Sequence, residues 1–191
     1  NQLSYVKSQL GAFLTSPEAV QEGIRVAQSG VATDPLNRSY RELLGWLLIE
    51  GDDYREALEV YRGMDRLDRE EGRTLFSFAL IAADGDAHDV ALEAFDEVLR
   101  RYPEGSSAPE AMRGLAMMQE KWAAALEETV YDLYGERGER NHWDEALETY
   151  QRFLIEYPQH PQFPDVLRRI GTLQQEVFLD LEAAETVLRE V

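Results

Sequence analysis

The chain has 191 residues, 44% of them hydrophobic and none cysteine, with a formal charge of -18 from 37 acidic against 19 basic side chains. That length and apolar content support one or two folded domains and exclude global disorder, and the absence of thiols excludes disulfide scaffolds and thiolate metal sites. The charge repels phosphate backbones and anionic lipid, so nucleic acid is excluded as a partner and a basic protein or peptide is attracted.

Only Lys7 and Lys121 are lysines. An acidic surface with arginine in place of lysine fits a salt-adapted organism, where salt screens the self-repulsion, and a GC-rich coding sequence gives the same preference. No run approaches the ~20 apolar residues of a membrane span, which argues against direct membrane insertion. No basic stretch followed by an apolar one opens the chain. Cytoplasm and periplasm both fit, with a removed signal or lipid anchor left open.

In chain order, Leu3, Val6, Leu10 and Phe13 mark a short amphipathic helix over 3–14. Ser16 and Pro17 are an N-cap and first-turn pair for a helix to about Gln28, ended by Gly30. Asp34-Pro35 opens a third helix, and Gly51-Asp52-Asp53 breaks it. A phrase then recurs three times: Ala57-Leu58-x-x-Tyr61, Ala91-Leu92-x-x-Phe95 and Ala146-Leu147-x-x-Tyr150. The last two continue alike, through Val98-Leu99 to Tyr102-Pro103 and through Phe153-Leu154 to Tyr157-Pro158. Ala57 and Ala91 lie 34 residues apart. Leu44-Gly45, Phe78-Ala79 and Ile170-Gly171 each stand 12 to 13 residues before Ala57, Ala91 and Ala183. A tiny residue beside a large one on the first helix lets the second helix approach closely. The turns between are Gly51-Asp52-Asp53, Gly85-Asp86 and Leu179-Asp180.

From Ala91 to Ala146 the step is 55 residues, one repeat plus 21. One account reads Trp122-Ala123-Ala124-Ala125-Leu126 as a degenerate second helix, with a reversal at Glu120-Lys121. The other reads 107 to about 136 as one long helix. The second is preferred: no Gly or Pro falls between Leu115 and Tyr134, and alternation of first and second helices is kept.

Together these phrases resemble the tetratricopeptide repeat. Matching positions are Leu44, Gly45, Leu48, Ala57 and Tyr61, then Leu75, Phe78, Ala79, Ala82, Ala91, Phe95, Val98 and Pro103. Later come Ala146, Tyr150, Phe153 and Pro158, then Leu167, Ile170, Gly171 and Ala183. The linkers at 101–111 and 156–165 are similar to those of bacterial periplasmic members, including envelope-assembly lipoproteins. Asp65 departs from the pattern, being polar where the family has an apolar residue. The resemblance implies an all-α, right-handed α-solenoid of antiparallel helix pairs, with an irregular long central helix. Its expected parts are a cap or degenerate repeat at 1–33, two repeats at 34–103, an irregular repeat at 104–158 and a C-terminal helix pair at 159–191, in one continuous structural domain.

No phosphate loop, zinc-protease helix, nucleophile elbow or calcium loop is present, so no catalytic, cofactor or metal residue is assigned and the chain reads as a non-enzyme. His88, His142 and His160 lie singly at helix starts or linkers. Tyr61, Phe95, Tyr150 and Phe153 read as core; Trp46 reads as core or groove, and Trp122 and Trp143 as packing on the turns before them. The expected function is a protein-protein interaction scaffold holding a peptide or protein segment in a groove or at an edge of the stack. A structural adaptor of a bacterial envelope or secretion assembly, and a repeat-based ligand-binding protein or enzyme, are the alternatives. Helical phase puts Arg41, Glu42, Trp46, Arg73, Thr74, Ser77, Ile81, Arg113, Met117, Arg168 and Gln174 on the inner surface.

Overall fold

The computed structural model describes residues 2–128, 130, 131, 137 and 140–189, the side chains of residues 2–4 excepted. They form α1 (Gln2–Gly11), α2 (Pro17–Thr33), α3 (Arg38–Glu50), α4 (Tyr54–Asp68), α5 (Arg73–Asp84), α6 (His88–Arg101), α7 (Ala108–Ala125), α8 (His142–Glu156), α9 (Phe163–Glu176) and α10 (Leu181–Leu188). Among the described residues there is no strand, only an isolated antiparallel bridge between Tyr131 and Arg137. None of their helices is long and apolar enough to cross a membrane. The all-α expectation holds. The chain divides into two compact units, residues 1–78 and 79–191, the boundary falling inside α5.

In the first unit, the Ser16 hydroxyl accepts from the Ala19 N–H and Pro17 fills the first turn of α2, as expected. The helix does not stop at Gln28. It continues through Gly30 to Thr33, and Gly30 serves a close approach instead: a Cβ there would lie 3.0 Å from the Tyr40 ring. Asp34-Pro35 does not begin α3 either. The Asn37 N–H bonds the Asp34 carbonyl in a turn, and Asn37 then caps the helix from Arg38. Helix α1 ends at Gly11 rather than 14, and Val6 and Phe13 are exposed, so its predicted apolar stripe is not a core stripe.

Helices α3 and α4 pair as the sequence implies. A Cβ on Gly45 would sit 2.8 Å from Tyr61 Cε2, and Leu44, Leu47, Leu48, Ala57 and Leu58 are buried. The out-of-pattern Asp65 has a structural reason. It is buried at the end of α4, and its carboxylate accepts the Gly72 N–H at 3.1 and 3.2 Å. Gly72 has φ 88°, a conformation that favours glycine.

In the second unit Ala79, Ala82, Ala91, Phe95, Val98, Ala146 and Phe153 are buried almost completely. One turn device recurs across the chain. After α3, α5 and α7 a residue adopts φ near +55°, namely Asp52, Asp86 and Glu127. The next N–H then bonds a carbonyl five residues back: Asp53 to Leu48, Ala87 to Ala82 and Glu128 to Ala123. Helix α7 is therefore a first helix that ends where first helices end. This corrects the helix expected over 107–136. At 18 residues α7 is the longest described helix, but it stops at Ala125; positions 129 and 132–136 lie outside the described residues. The competing reversal at Glu120-Lys121 is also wrong, because α7 runs through both. The irregularity lies mainly after the turn. Ala57 comes four positions after Asp53 and Ala91 four after Ala87, whereas Ala146 comes eighteen after Glu128.

The described parts of that insertion are fastened to the unit. Val130 is buried, the Tyr131 hydroxyl donates to the Phe178 carbonyl, and Arg137 pairs with Asp144 and lies 5.1 Å from the Phe178 ring centroid. Asn141 and Asp144 form a capping box for α8. The last pair needs a one-residue correction. Leu179, at φ 53°, falls eight residues after Gly171, whereas Asp52 and Asp86 fall seven after Gly45 and Ala79. The buried position is consequently Ala184, with Ala183 only half-buried.

Candidate functional site

Helices α7, α8 and α9 surround a cavity of about 490 Å³. Helix α7 contributes Arg113, Met117, Glu120, Lys121 and Ala124, α8 contributes Trp143 and Tyr150, and α9 contributes Asp165, Val166 and Arg169. The α7 positions follow helical spacing and so form one stripe. Tyr150 and Val166 also belong to the core that holds the three helices together, with Met112, Ala116, Phe153 and Ile170.

At the centre is a carboxylate almost removed from water. Glu120 is 7% exposed and accepts the Tyr150 hydroxyl at 2.6 Å. The Arg169 guanidinium grips it along one edge, with Nε at 2.9 and 3.0 Å and Nη2 on the same carboxylate. A buried charge without such partners would be strongly destabilising. Burial first, and then the Glu120 charge, raise the Tyr150 phenol above its ordinary range. The hydrogen bond to Glu120 raises the Arg169 guanidinium. Nearby, the Thr149 hydroxyl donates to the Gln119 amide oxygen at 2.9 Å, tying α8 to α7. Lys121 reaches the C-terminus of α5, bonding the Ala83 carbonyl at 3.0 Å and Asp86 at 2.5 Å. That bond holds the Asp86 carboxyl below the usual range. Arg113 donates from Nη1 to Met117 Sδ at 3.0 Å, while its Nε is shielded from water with no acceptor among the described residues.

Of the residues expected on an inner surface, Arg113 and Met117 line this cavity. Arg168 does not: it is exposed and paired with Asp165 at 2.9 Å, and Arg169, one position on, faces the site. Gln174 is half-buried on α9 and outside the lining. Arg41, Glu42, Trp46, Arg73, Thr74, Ser77 and Ile81 are also outside it. Arg41 donates to the Pro35 carbonyl at 2.8 Å and Glu42 pairs with Arg38 at 2.6 Å. Trp46 is half-buried with the Lys7 ammonium 6.0 Å from its ring, and burial lowers the Lys7 pKa. Arg73 pairs with Glu70, the Ser77 hydroxyl bonds the Arg73 carbonyl at 2.9 Å, Thr74 is half-buried and Ile81 is exposed.

Sequence reasoning missed Glu120, Trp143 and Arg169 as site residues and saw Tyr150 only as core. The stripe through Arg113 and Met117 extends to Glu120 and Lys121, which was the available signal. Trp143, expected on the turn just before its helix, instead reaches back to the turn that closes α7, its indole N–H bonding the Glu128 carbonyl at 3.2 Å. Trp122 does not begin a helix. It lies in the last turn of α7, stacked on His142 at 4.5 Å and on His88 at 6.5 Å. A second depression, of about 760 Å³ in the first unit, differs in character: Glu18, Glu22, Asp53 and Glu56 line it, with Pro17 and Ile24 as its apolar side chains.

Residues 110–160, from the start of α7 through α8, match the profile of the tetratricopeptide repeat. No curated protein matches the chain. Among solved structures, MamA is similar with a TM-score of 0.52 and 16% identity, covering 91% of this chain and 86% of that one. MamA from Desulfovibrio magneticus RS-1, residue 41 to its end, gives a TM-score of 0.51 and 11% identity over 99% of this chain and 90% of that one. YrrB, a tetratricopeptide repeat protein with an unusual peptide-binding site, gives 0.51 and 14% over 94% and 79%. At these identities the likeness establishes architecture alone: the chain has the helix-pair solenoid fold of tetratricopeptide repeat proteins, and residues 110–160 match the repeat itself.

Proposed function

We propose that the chain is a protein-interaction scaffold and that the α7–α9 cavity holds a segment of its partner. The observation that carries this is the lining. Met117, Ala124, Trp143, Tyr150 and Val166 offer apolar contact, and Arg113, Lys121 and Asp165 stand around them. An apolar floor with a few placed polar groups is the usual make-up of a peptide groove. The Glu120–Tyr150–Arg169 network draws one residue from each of the three helices, which favours a preorganised floor and lowers the ordering cost of binding. The peptide-binding site named for YrrB supports the same use of the fold. The charge of -18 adds long-range attraction for a partner that is basic overall. The linkers similar to those of envelope-assembly members support an envelope or secretion assembly as the setting.

A displayed library of random nonapeptides tests the site. Selection on the wild-type protein is expected to yield a shared sequence pattern. Ala124→Trp, which fills the cavity from an exposed position, is expected to weaken the selected peptides about tenfold or more. Failure to select any pattern, or binding indifferent to Ala124→Trp, would overturn the assignment.

A further inference from the structure

Two arginines face the same cavity and differ in what they hold. Arg169 presents Nε and Nη2, the two donors along one edge of its guanidinium, to the Glu120 carboxylate. That is the bidentate geometry in which arginine binds carboxylates best. Arg113 has only Nη1 engaged, and its acceptor is the Met117 thioether, a weak one. Its Nε is out of reach of water and unpaired among the described residues. Thirty-seven acidic side chains are present in a chain with only 19 basic ones, yet no described carboxylate pairs with this guanidinium. A donor that has lost its water and gained no acceptor keeps its full desolvation cost until an acceptor arrives. The cavity thus carries both a completed arginine–carboxylate fork and an uncompleted one.

We propose that Arg113 is the specificity residue of this site, its guanidinium turning away from the Met117 thioether so that its fork takes the side-chain carboxylate of an Asp or Glu in the bound peptide. A large apolar side chain of the same peptide rests on Met117 and Trp143. The thioether holds Arg113 weakly enough for the fork to turn onto its ligand. This inference rests on the peptide-binding reading above and adds the chemistry of the ligand. It also reconciles two fields. The overall charge attracts a partner that is basic in sum, while the local fork demands one acidic residue at a fixed place, so the first sets encounter and the second sets register.

The test uses peptides selected on the wild-type protein, synthesised with blocked termini and measured by fluorescence anisotropy. The selected set is expected to share an acidic residue close to a large apolar one. Replacing that Glu by Gln in the peptide should weaken binding to the wild-type protein about tenfold or more, as loss of a charge-assisted fork does. On Arg113→Met and Arg113→Lys proteins the Glu and Gln peptides should bind within about twofold of each other; the Lys variant keeps the charge and loses the fork. The peptide-side comparison on the wild-type protein decides the matter even if a variant fails to fold. Peptides that bind the cavity with no acidic residue, a neutral Glu-to-Gln change, a preference that survives in Arg113→Met, or one that requires a free C-terminal carboxylate would each overturn this inference and leave the cavity as a peptide site. Selection of no peptide at all would overturn both.

Discussion

Gly114 gives the sharpest test of how α6 and α7 pack. A Cβ built on it lies 2.6 Å from Phe95 Cε1 and 2.7 Å from Cζ. Phe95 is among the most completely buried large side chains, and carbon atoms pack best at ~3.5–4.0 Å. Its ring would have to move by about 1 Å inside a close-packed interior, and such overpacking costs typically ~1–3 kcal/mol. Exchanging Gly for Ala within a helix returns roughly 0.5–1 kcal/mol. Gly114→Ala should therefore lose about 0.5–2 kcal/mol net. Gly63→Ala is the control. A Cβ there meets only the Arg41 Nη1 end, at 3.3 Å, which is flexible, so this variant should gain up to about 1 kcal/mol. Urea melts under one set of conditions compare the midpoints, and Gly114→Ala should cost less in a Phe95→Leu background than in the wild type, because the smaller side chain relieves the clash. A Gly114→Ala midpoint at or above wild type, or both glycine variants moving the same way, would refute the packing described.

Three further outcomes are expected. Lys121→Pro should cost ~3 kcal/mol or more in a denaturant melt, because α7 runs unbroken through that position; a negligible loss would mean that the chain turns there. Burial and Glu120 raise the Tyr150 pKa, so the stability its neutral phenol contributes is complete below the ordinary phenol value of ~10 and is lost as pH climbs beyond it. Melts between about pH 8 and 12 should then fall more steeply for the wild type than for Tyr150→Phe, and equal slopes would mean a phenol in contact with water. The surplus of acidic over basic side chains predicts a higher thermal midpoint in about 2 M KCl than in about 0.1 M, through screening of repulsion; no rise would leave steering of a basic partner as the role of the charge.

The recurring Ala-Leu-x-x-aromatic phrase was sufficient to locate α4, α6 and α8, because a helix that must approach its neighbour needs a small residue at the crossing. Gly45 and Gly171 were legible for the same reason. Gly114 was not, since its role is to admit Phe95 from α6, a contact between successive pairs that no spacing within a pair reveals. The 107–136 expectation failed because helix propensity does not register a C-cap without glycine: Glu127 takes the left-handed conformation unaided by its type. Asp34-Pro35 misled in the opposite sense, as a turn that imitates a helix start. At the site, Arg113 and Met117 followed from helical phase, but an error of one residue on α9 exchanged Arg168, paired with Asp165, for Arg169, which reaches Glu120. One residue is about 100° around a helix, enough to decide which of two arginines meets the buried carboxylate. Glu120 was invisible as a site residue because its place depends on Tyr150 and Arg169, thirty and forty-nine residues away.

The central claim is that the α7–α9 cavity receives the partner, and amide chemical-shift mapping with a selected nonapeptide tests it most directly. Titrating the peptide into the 15N-labelled protein should move the amides of Arg113 through Ala124 and of Asp165 through Arg169, together with the Trp143 indole N–H. Shifts confined to the acidic depression between α2 and the start of α4, or to the exposed Leu179 and Leu181 at the α9–α10 turn, with the cavity unchanged, would contradict it.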